Sequence, residues 1–326
     1  MATTTFAALD IGSNTIMTLV LQVGEQGELH VVDEFGEVTQ LGAGANAENR
    51  YCLREEAMAR SLAAANRQLQ HLRQRYRHFT LVAAATSAVR EAPNGTAFMR
   101  RCQQELVLDE APTILSGDLE AEACFLGAAT AFAPDQTFIN IDPGGGSTEF
   151  SGGKPGQLHH AFSLPIGCVR WRDRFGLSEV FDKDTRERAA QAVHDAINSA
   201  AGAHNTLQQA AGAGAVLSAS GGTAATLGAV LLGRHEFDRQ LIHRRPCGRT
   251  DINDMLKRVA AMTCAARQDL PGMPPGRASV FPAGLIIMCS VMDMLGHDEL
   301  IINCHGLRHG LIVLLRQGRL APQLSV

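Results

Sequence analysis

Three apolar runs of strand length open the chain, residues 5–11, 15–23 and 29–35, parted by Gly12-Ser13-Asn14 and by Gly24-Glu25-Gln26-Gly27. Short β-rich runs joined by Gly and Asn turns predict antiparallel hairpins. Over residues 55–76 the period changes: Met58, Leu62, Leu69, Leu72 and Tyr76 recur at helical spacing among Arg and Gln, which predicts an amphipathic helix. A buried strand over 80–85, a helix over 94–106, a short strand over 112–115 and an Ala-rich helix over 119–132 follow. After Pro134-Asp135 the order begins again. Strands are expected over 137–142, 147–152 and 158–164, then a long helix over 185–203 capped by Asp184 or Thr185. A strand over 215–220 feeds Gly221-Gly222-Thr223 and a further helix. The remainder reads as a Pro/Gly loop at 271–276, a helix over 281–295, a strand over 300–303 and a last helix over 307–316.

Composition narrows this picture. A chain of 326 residues, 45% hydrophobic and 19% charged, describes an ordered soluble protein too long for one ordinary core, so two domains with a cleft are expected. With 29 Lys and Arg against 33 Asp and Glu the net charge is −4, which argues against non-specific binding of nucleic acid polymers. Aromatic content of 5% and a single Trp argue against recognition by base stacking. Eight cysteines are scattered without a C-x-x-C pair, which reads as buried thiols in a reducing compartment. Residues 1–9 carry no Lys or Arg, and Asp10 interrupts the apolar stretch, so no signal peptide is expected. The most apolar late segment, 285–294, is about ten residues long, short of the roughly 20 that cross a bilayer. A cytoplasmic protein without membrane partners is the expectation.

One arrangement occurs twice: a strand, an acidic residue, a Gly turn and a second strand, at Asp10-Ile11-Gly12-Ser13-Asn14 and at Asp142-Pro143-Gly144-Gly145-Gly146-Ser147. Duplication of this kind predicts two related α/β domains whose facing turns form the site. Successive glycines let a backbone approach an anion with several N–H groups, which suits phosphate oxygens, although an ordinary hairpin turn also accounts for them. The turn leads into another strand rather than a helix, and no G-x-x-x-x-G-K-[ST] occurs, so a Rossmann turn and a P-loop are disfavoured. Asp142 and Glu149 flank the turn on adjacent strands. Two hard oxygen ligands beside phosphates suit Mg²⁺, whereas Glu149 alone reads equally as a solvated strand residue.

Taken together, Asp10-Ile-Gly-Ser-Asn14, Ala85-Thr-Ser-Ala-Val-Arg90 with Asn94, Ser116-Gly117 with Glu120, Asp142-Pro-Gly-Gly-Gly-Ser-Thr-Glu149, Leu164-Pro-Ile-Gly-Cys-Val-Arg170, Ser218-Ala-Ser-Gly-Gly-Thr223 and Leu307-Arg308 span nearly the whole chain. This pattern resembles the exopolyphosphatase and guanosine pentaphosphate phosphatase (Ppx/GppA) family, within the group that shares the actin, sugar-kinase and heat-shock chaperone ATPase fold. The resemblance implies an α/β architecture of two RNase H-like domains around an interdomain cleft. The boundaries expected are 1–125 and 126–306, with the last helix, 307–326, packing back on the first domain.

The activity implied is removal of the terminal phosphate from inorganic polyphosphate or pppGpp by metal-assisted attack of water. Glu120 matches the family's water-activating base, and Arg90 the arginine that faces the substrate phosphates. Phosphate binding falls to Gly12, Ser13, Asn14, Gly144, Gly145, Gly146, Ser147, Gly221, Gly222 and Thr223, with Arg277 at a similar family position. Asp142, Glu149 and Asp10 are the metal candidates, for Mg²⁺ or another divalent cation such as Mn²⁺. The implied partners are polyphosphate or guanosine penta- or tetraphosphate, and a homodimer is left open. The chain ends at Val326 without room for the C-terminal helical domains of longer members, so it resembles the short form.

Departures from the family pattern bear on function. Leu119-Glu120 stands where the family has an acidic pair, Glu122 where it has Arg, and Pro143 where it has an aliphatic residue. Asn303-Cys304-His305-Gly306-Leu307-Arg308-His309-Gly310 replaces a Ser-Asp-Gly-type segment and Leu-Arg-Glu-Gly. These changes motivate the alternative of a non-catalytic regulator that binds pppGpp or ppGpp. A small-molecule kinase of the same superfamily is a third reading, without an acceptor pocket that the sequence identifies. Cys304, His305 and His309 offer a zinc reading through His at i and i+4, but lack a fourth ligand nearby.

Overall fold

A computed structural model describes residues 4–24, 28–44, 51–200, 202–212 and 214–326; positions 25–27 of the expected first hairpin turn, and 201 in the expected long helix, lie outside these. The chain divides into two compact units, Met1–Ser116 with Leu307–Val326, and Gly117–Gly306. Both are α/β, each built on a six-stranded sheet.

The first unit begins with β1 (Thr4–Ile11), β2 (Thr15–Val23) and β3 (Leu29–Val38), continues through α1 (Glu55–Arg75), β4 (Thr80–Ala85), α2 (Ser87–Glu91), α3 (Gly95–Leu106) and β5 (Thr113–Ile114), and receives α13 and β12 from the C-terminus. The second holds α4 (Gly117–Ala129), β6 (Phe138–Pro143), β7 (Thr148–Lys154), β8 (Gln157–Leu164), α5 (Cys168–Phe175), α6 (Lys183–Ser199), α7 (Ala203–Gly212) and β9 (Val216–Ala219). It closes with α8 (Gly221–Leu232), α9 (Arg239–Ile242), β10 (Arg245–Gly248), α10 (Arg249–Ala260), α11 (Cys264–Gln268), α12 (Phe281–Leu295) and β11 (Glu299–Ile302). The returning elements are α13 (Leu307–Arg316) and β12 (Leu324–Ser325).

The two sheets share a strand plan. In the first, β1 pairs antiparallel with β2, β2 antiparallel with β3, and β1 parallel with β4, which pairs parallel with β5. In the second, β6, β7 and β8 form the same antiparallel meander, and β6 pairs parallel with β9, which pairs parallel with β11. The hairpins come from alternating, β-branched runs closed by glycine turns, while the parallel strands, buried on both faces, read as continuous apolar segments such as Leu81-Val82-Ala83-Ala84-Ala85. Each sheet is backed by its own core. Helix α1 sets Leu62, Ala65, Leu69 and Leu72 into the first, and the almost wholly apolar α12 lies in the second with Leu285, Ile286, Ile287 and Val291.

Three expectations shift. The division falls at 116/117 rather than 125/126, because α4 is one continuous helix whose Phe125 stacks on Phe138 of β6 at 5.0 Å between ring centroids. The expected long helix starts earlier, at Lys183, because the Asp182 side chain caps it by accepting the Thr185 N–H at 2.8 Å. The segment after β8, not assigned from the sequence, forms α5. All eight cysteines are free thiols. Among the described residues no helix is long and apolar enough to cross a membrane.

Candidate active site

The antiparallel register of β6 and β7 places Asp142 directly opposite Glu149 and Pro143 opposite Thr148, so the three glycines occupy the tip of a tight hairpin. Glu120 comes from the first turn of α4, a helix fixed by Phe125 and by Phe132, which stacks on Phe138 at 4.4 Å just past the helix end. Gly127 allows this helix to sit close to the 303–306 turn: a Cβ there would lie 2.0 Å from the Gly306 carbonyl oxygen.

All three carboxylates are removed from water, with relative exposures of 4% for Glu120, 8% for Asp142 and 3% for Glu149. Glu149 Oε1 accepts hydrogen bonds from Ser147 Oγ at 2.7 Å and Ser163 Oγ at 2.8 Å. Asp142 Oδ2 accepts from Ser220 Oγ at 2.7 Å and from the Cys124 thiol at 3.6 Å. Ser220 is itself held, since Asn140 Nδ2 donates to its Oγ at 3.0 Å and Ser218 Oγ donates to Asn140 Oδ1 at 3.0 Å. Burial, and then the neighbouring charge of Glu120, raise Glu149 well above the ordinary carboxylate range. Ser147 opposes the shift, Asp142 adds to it and Ser163 opposes it. Burial and the charges of Asp142, Glu149 and Glu120 likewise raise Cys124, keeping it a neutral thiol that donates to Asp142.

Around the tip, Gly144 N–H donates to the Ser147 carbonyl at 2.9 Å, and the Thr148 hydroxyl donates to the Ile166 carbonyl. Gly221 has φ +79°, and a Cβ there would lie 2.1 Å from Asp142 Oδ1, so glycine is required on both backbone and steric grounds. Arg277 lies over Gly222, where an added Cβ would sit 1.9 Å from its Nη2. Thr223 Oγ1 donates to the Pro143 carbonyl at 3.3 Å. Thus Glu120, Asp142, Gly144–Ser147 and Glu149 are brought together in the second unit, with Gly221, Gly222, Thr223 and Arg277 beside them.

Asp10, Gly12, Ser13, Asn14 and Arg90 belong to the first unit. There Gly12 N–H donates to the Thr15 carbonyl at 3.1 Å, and the Ser13 side chain accepts the Ala88 N–H at 3.1 Å. The turn backbone is fixed further by Gly42 N–H on the Ser13 carbonyl at 2.8 Å. Arg90 Nη1 donates to the Leu115 carbonyl at 3.0 Å.

Among the described residues no three His, Cys, Asp or Glu side chains are disposed to hold a metal ion. His305 precedes α13, so it shares no helix face with His309. It stacks instead on His243 at 4.1 Å between centroids, and burial lowers His243 to about 4 and His305 to about 3. Both rings are therefore neutral at physiological pH. Sequence reasoning did not single out Ser163, Ser220, Cys124 or Gly167 as site residues. Ser220 lay inside the quoted Ser218–Thr223 motif and Gly167 inside Leu164–Arg170, so both had a usable signal.

A sequence model of the Ppx/GppA phosphatase family matches residues 19–317. The chain belongs to the Ppx/GppA phosphatase family. Among curated relatives, Exopolyphosphatase 2 of Mycobacterium tuberculosis (strain ATCC 25618 / H37Rv) is 30% identical over 330 residues, covering 97% of this chain and 99% of that one. Among solved structures, an exopolyphosphatase from Cytophaga hutchinsonii ATCC 33406 superposes with a TM-score of 0.83 at 22% identity, covering 96% of this chain and 98% of that one. The Aquifex aeolicus member of the Ppx/GppA family superposes with a TM-score of 0.75 at 22% identity, covering 97% and 99%. These likenesses establish the fold, the α/β architecture of Ppx/GppA proteins, into which the duplicated strand plan fits.

Proposed function

We propose that this Ppx/GppA member is a phosphohydrolase that removes the terminal phosphate from inorganic polyphosphate, with Glu120 accepting a proton from the attacking water. The observation that carries the reading is the meeting of three buried carboxylates at a glycine hairpin tip. Burial of like charges is costly, and such an arrangement is expected where charge is needed for chemistry. The water oxygen forms a bond to the terminal phosphorus, the bridging P–O bond breaks, and a chain one phosphate shorter departs. Glu120 sits at a helix N-terminus next to Glu149, where its carboxylate can accept the proton of a water held at the tip. Arg277 and the glycine amides would offset phosphate charge.

A divalent cation fits this donor set, because Asp142 and Glu149 supply hard oxygens whose crowding and burial a cation would relieve. They would hold it together with phosphate oxygens, and when bound it would neutralise charge on the transferring phosphoryl group. Guanosine pentaphosphate ends in the same kind of anhydride and is proposed as a second substrate. The free thiols suit action in a reducing compartment such as the cytoplasm.

Phosphate release from polyphosphate and from guanosine pentaphosphate by the purified protein with Mg²⁺, compared with Glu120→Gln, tests the reading. The expected loss in kcat is on the order of 10²–10⁴. Tight binding of the guanosine nucleotide without release of phosphate by the unaltered protein would replace the hydrolase with a binding regulator.

A further inference from the structure

The hydrogen bonds of the glycine tip are distributed unevenly between its carbonyl and N–H groups. Cys168 N–H donates to the Gly144 carbonyl at 2.8 Å, Val169 N–H to the Gly145 carbonyl at 2.9 Å, and Arg170 Nε–H to the Gly146 carbonyl at 2.6 Å. Three consecutive carbonyls are thus taken, in order, by three consecutive residues of the first turn of α5. The fourth, of Ser147, is taken by Gly144 N–H. No protein acceptor among the described residues takes the N–H of Gly145, Gly146 or Ser147. In a trans peptide the N–H of a residue points opposite to the carbonyl before it, so capture of carbonyls 144, 145 and 146 turns the N–H groups of 145, 146 and 147 away from α5. Buried or half-buried donors of this kind need an acceptor.

Close approach makes the arrangement possible. Gly167, the residue before α5, has φ −127° and ψ 153°. A Cβ on it would lie 2.3 Å from the Gly146 carbonyl carbon and 2.4 Å from the Gly145 oxygen.

We propose that the first turn of α5 is the positioning element of the hairpin tip. It captures the three glycine carbonyls so that the opposed N–H groups meet a phosphoryl group, and Arg170 is the side chain that fixes the third. This rests on the phosphohydrolase reading for the identity of the ligand, but not for the orientation of the tip. Arg170 is a positioning residue: its Nε acts through the Gly146 carbonyl.

The test uses the full chain and three variants. Arg170→Met removes the side-chain donor while keeping most of the side-chain length. Cys168→Pro removes the first backbone donor at a helix N1 position that tolerates proline, after a residue already extended. Amide hydrogen exchange of the 143–150 segment is followed without any ligand, and kinetics with tripolyphosphate and Mg²⁺ are run beside it. Exchange in that segment is expected to rise about tenfold in Arg170→Met and in Cys168→Pro. For Arg170→Met, KM is expected to rise about tenfold with kcat within about threefold, and Arg170→Gln, whose Nε2 is bonded to Cδ as the arginine Nε is and so restores the donor without the charge, to recover most of the exchange protection and of KM. Unchanged exchange with a raised KM would mean that Arg170 touches the ligand directly, and would overturn the positioning role. Unchanged exchange and unchanged KM would also overturn it. If the unaltered protein neither binds nor cleaves tripolyphosphate, the phosphohydrolase reading fails, and the ligand-free exchange decides the role of α5 by itself.

Discussion

The turns at Gly12 and Gly144 are the same piece of backbone put to different chemistry. Each is closed by a glycine N–H on the carbonyl three residues later, at 3.1 Å in the first unit and 2.9 Å in the second. Each glycine is also sterically obliged, since an added Cβ would lie 2.9 Å from the Thr15 oxygen or 3.0 Å from the Ser147 oxygen. Each follows an aspartate by two residues. Across the ladder, however, Asp10 faces Met17, whereas Asp142 faces Glu149. The tip residues differ as well: Ser13 and Asn14 carry neutral hydrogen-bonding side chains where Gly145 and Gly146 carry none. The two copies share the geometry of the turn, but only the second sets two acids opposite each other across the ladder. The difference teaches that the paired carboxylates, rather than the turn itself, mark where chemistry is expected.

The largest effect that would break this comparison concerns the cross-strand partner. Glu149→Gln should lower kcat on polyphosphate by about 10²-fold or more, whereas Met17→Leu should change it less than about threefold. Equal losses in steady-state rates would dissolve the distinction between the turns.

Next comes Gly221→Ala. Forcing a Cβ into a φ of +79° costs on the order of 1–2 kcal/mol, and displaces the Asp142 carboxylate. Denaturant unfolding should register the first effect, and a fall in kcat of about tenfold or more the second. A variant that is destabilised yet fully active would separate Asp142 from the reaction.

The pH dependence of stability gives a smaller but cleaner signal. The folded-state pKa of Glu149 is raised, so the folded protein binds more protons than the unfolded chain above the unfolded value. The contribution of this group to stability is therefore fully present below the unfolded pKa and is lost as pH rises toward the folded one. In metal-free buffer, Glu149→Gln should raise the melting temperature at pH 8, with the gain shrinking toward pH 4. A gain independent of pH would show that the carboxylate's charge is not the cause.

The smallest effect is expected from Ser13→Ala, which leaves the Ala88 N–H without its side-chain acceptor at a cost of about 1 kcal/mol in stability. Its activity should hold within about threefold, measured beside Glu149→Gln in the same assay.

Much of this was legible from local pattern. The hairpins around both turns, the amphipathic α1 and the opposition of Asp142 and Glu149 follow from alternation, glycine turns and strand register, all of which act over a few residues. The carboxylates' support was not legible in that way. Ser163 and Ser220 reach their acids from 14 and 78 residues away in the chain, so no local period marks them. Helix α5 was concealed by its charged Arg170, Arg172, Asp173 and Arg174, among which only Val169 and Trp171 are buried apolar side chains after Cys168. The cap of α6 was misplaced because Asp182, Asp184 and Thr185 all have capping chemistry, and only the bond from Thr185 N–H distinguishes Asp182. Strand β12 is two residues long, too short to carry a pattern.

That two-residue strand completes its sheet from beyond the whole of the other unit in the chain. Leu324 and Ser325 pair with Leu81 and Thr80, and the buried Gln323 side chain accepts the Ala83 N–H at 2.6 Å. The unit from Gly117 to Gly306 is uninterrupted in sequence, while its companion is completed only by residues 307–326, which are synthesised after that whole unit. Until then the edge of β4 that receives the tail stays open, and a nascent or C-terminally clipped chain exposes it as a site for misdirected strand addition.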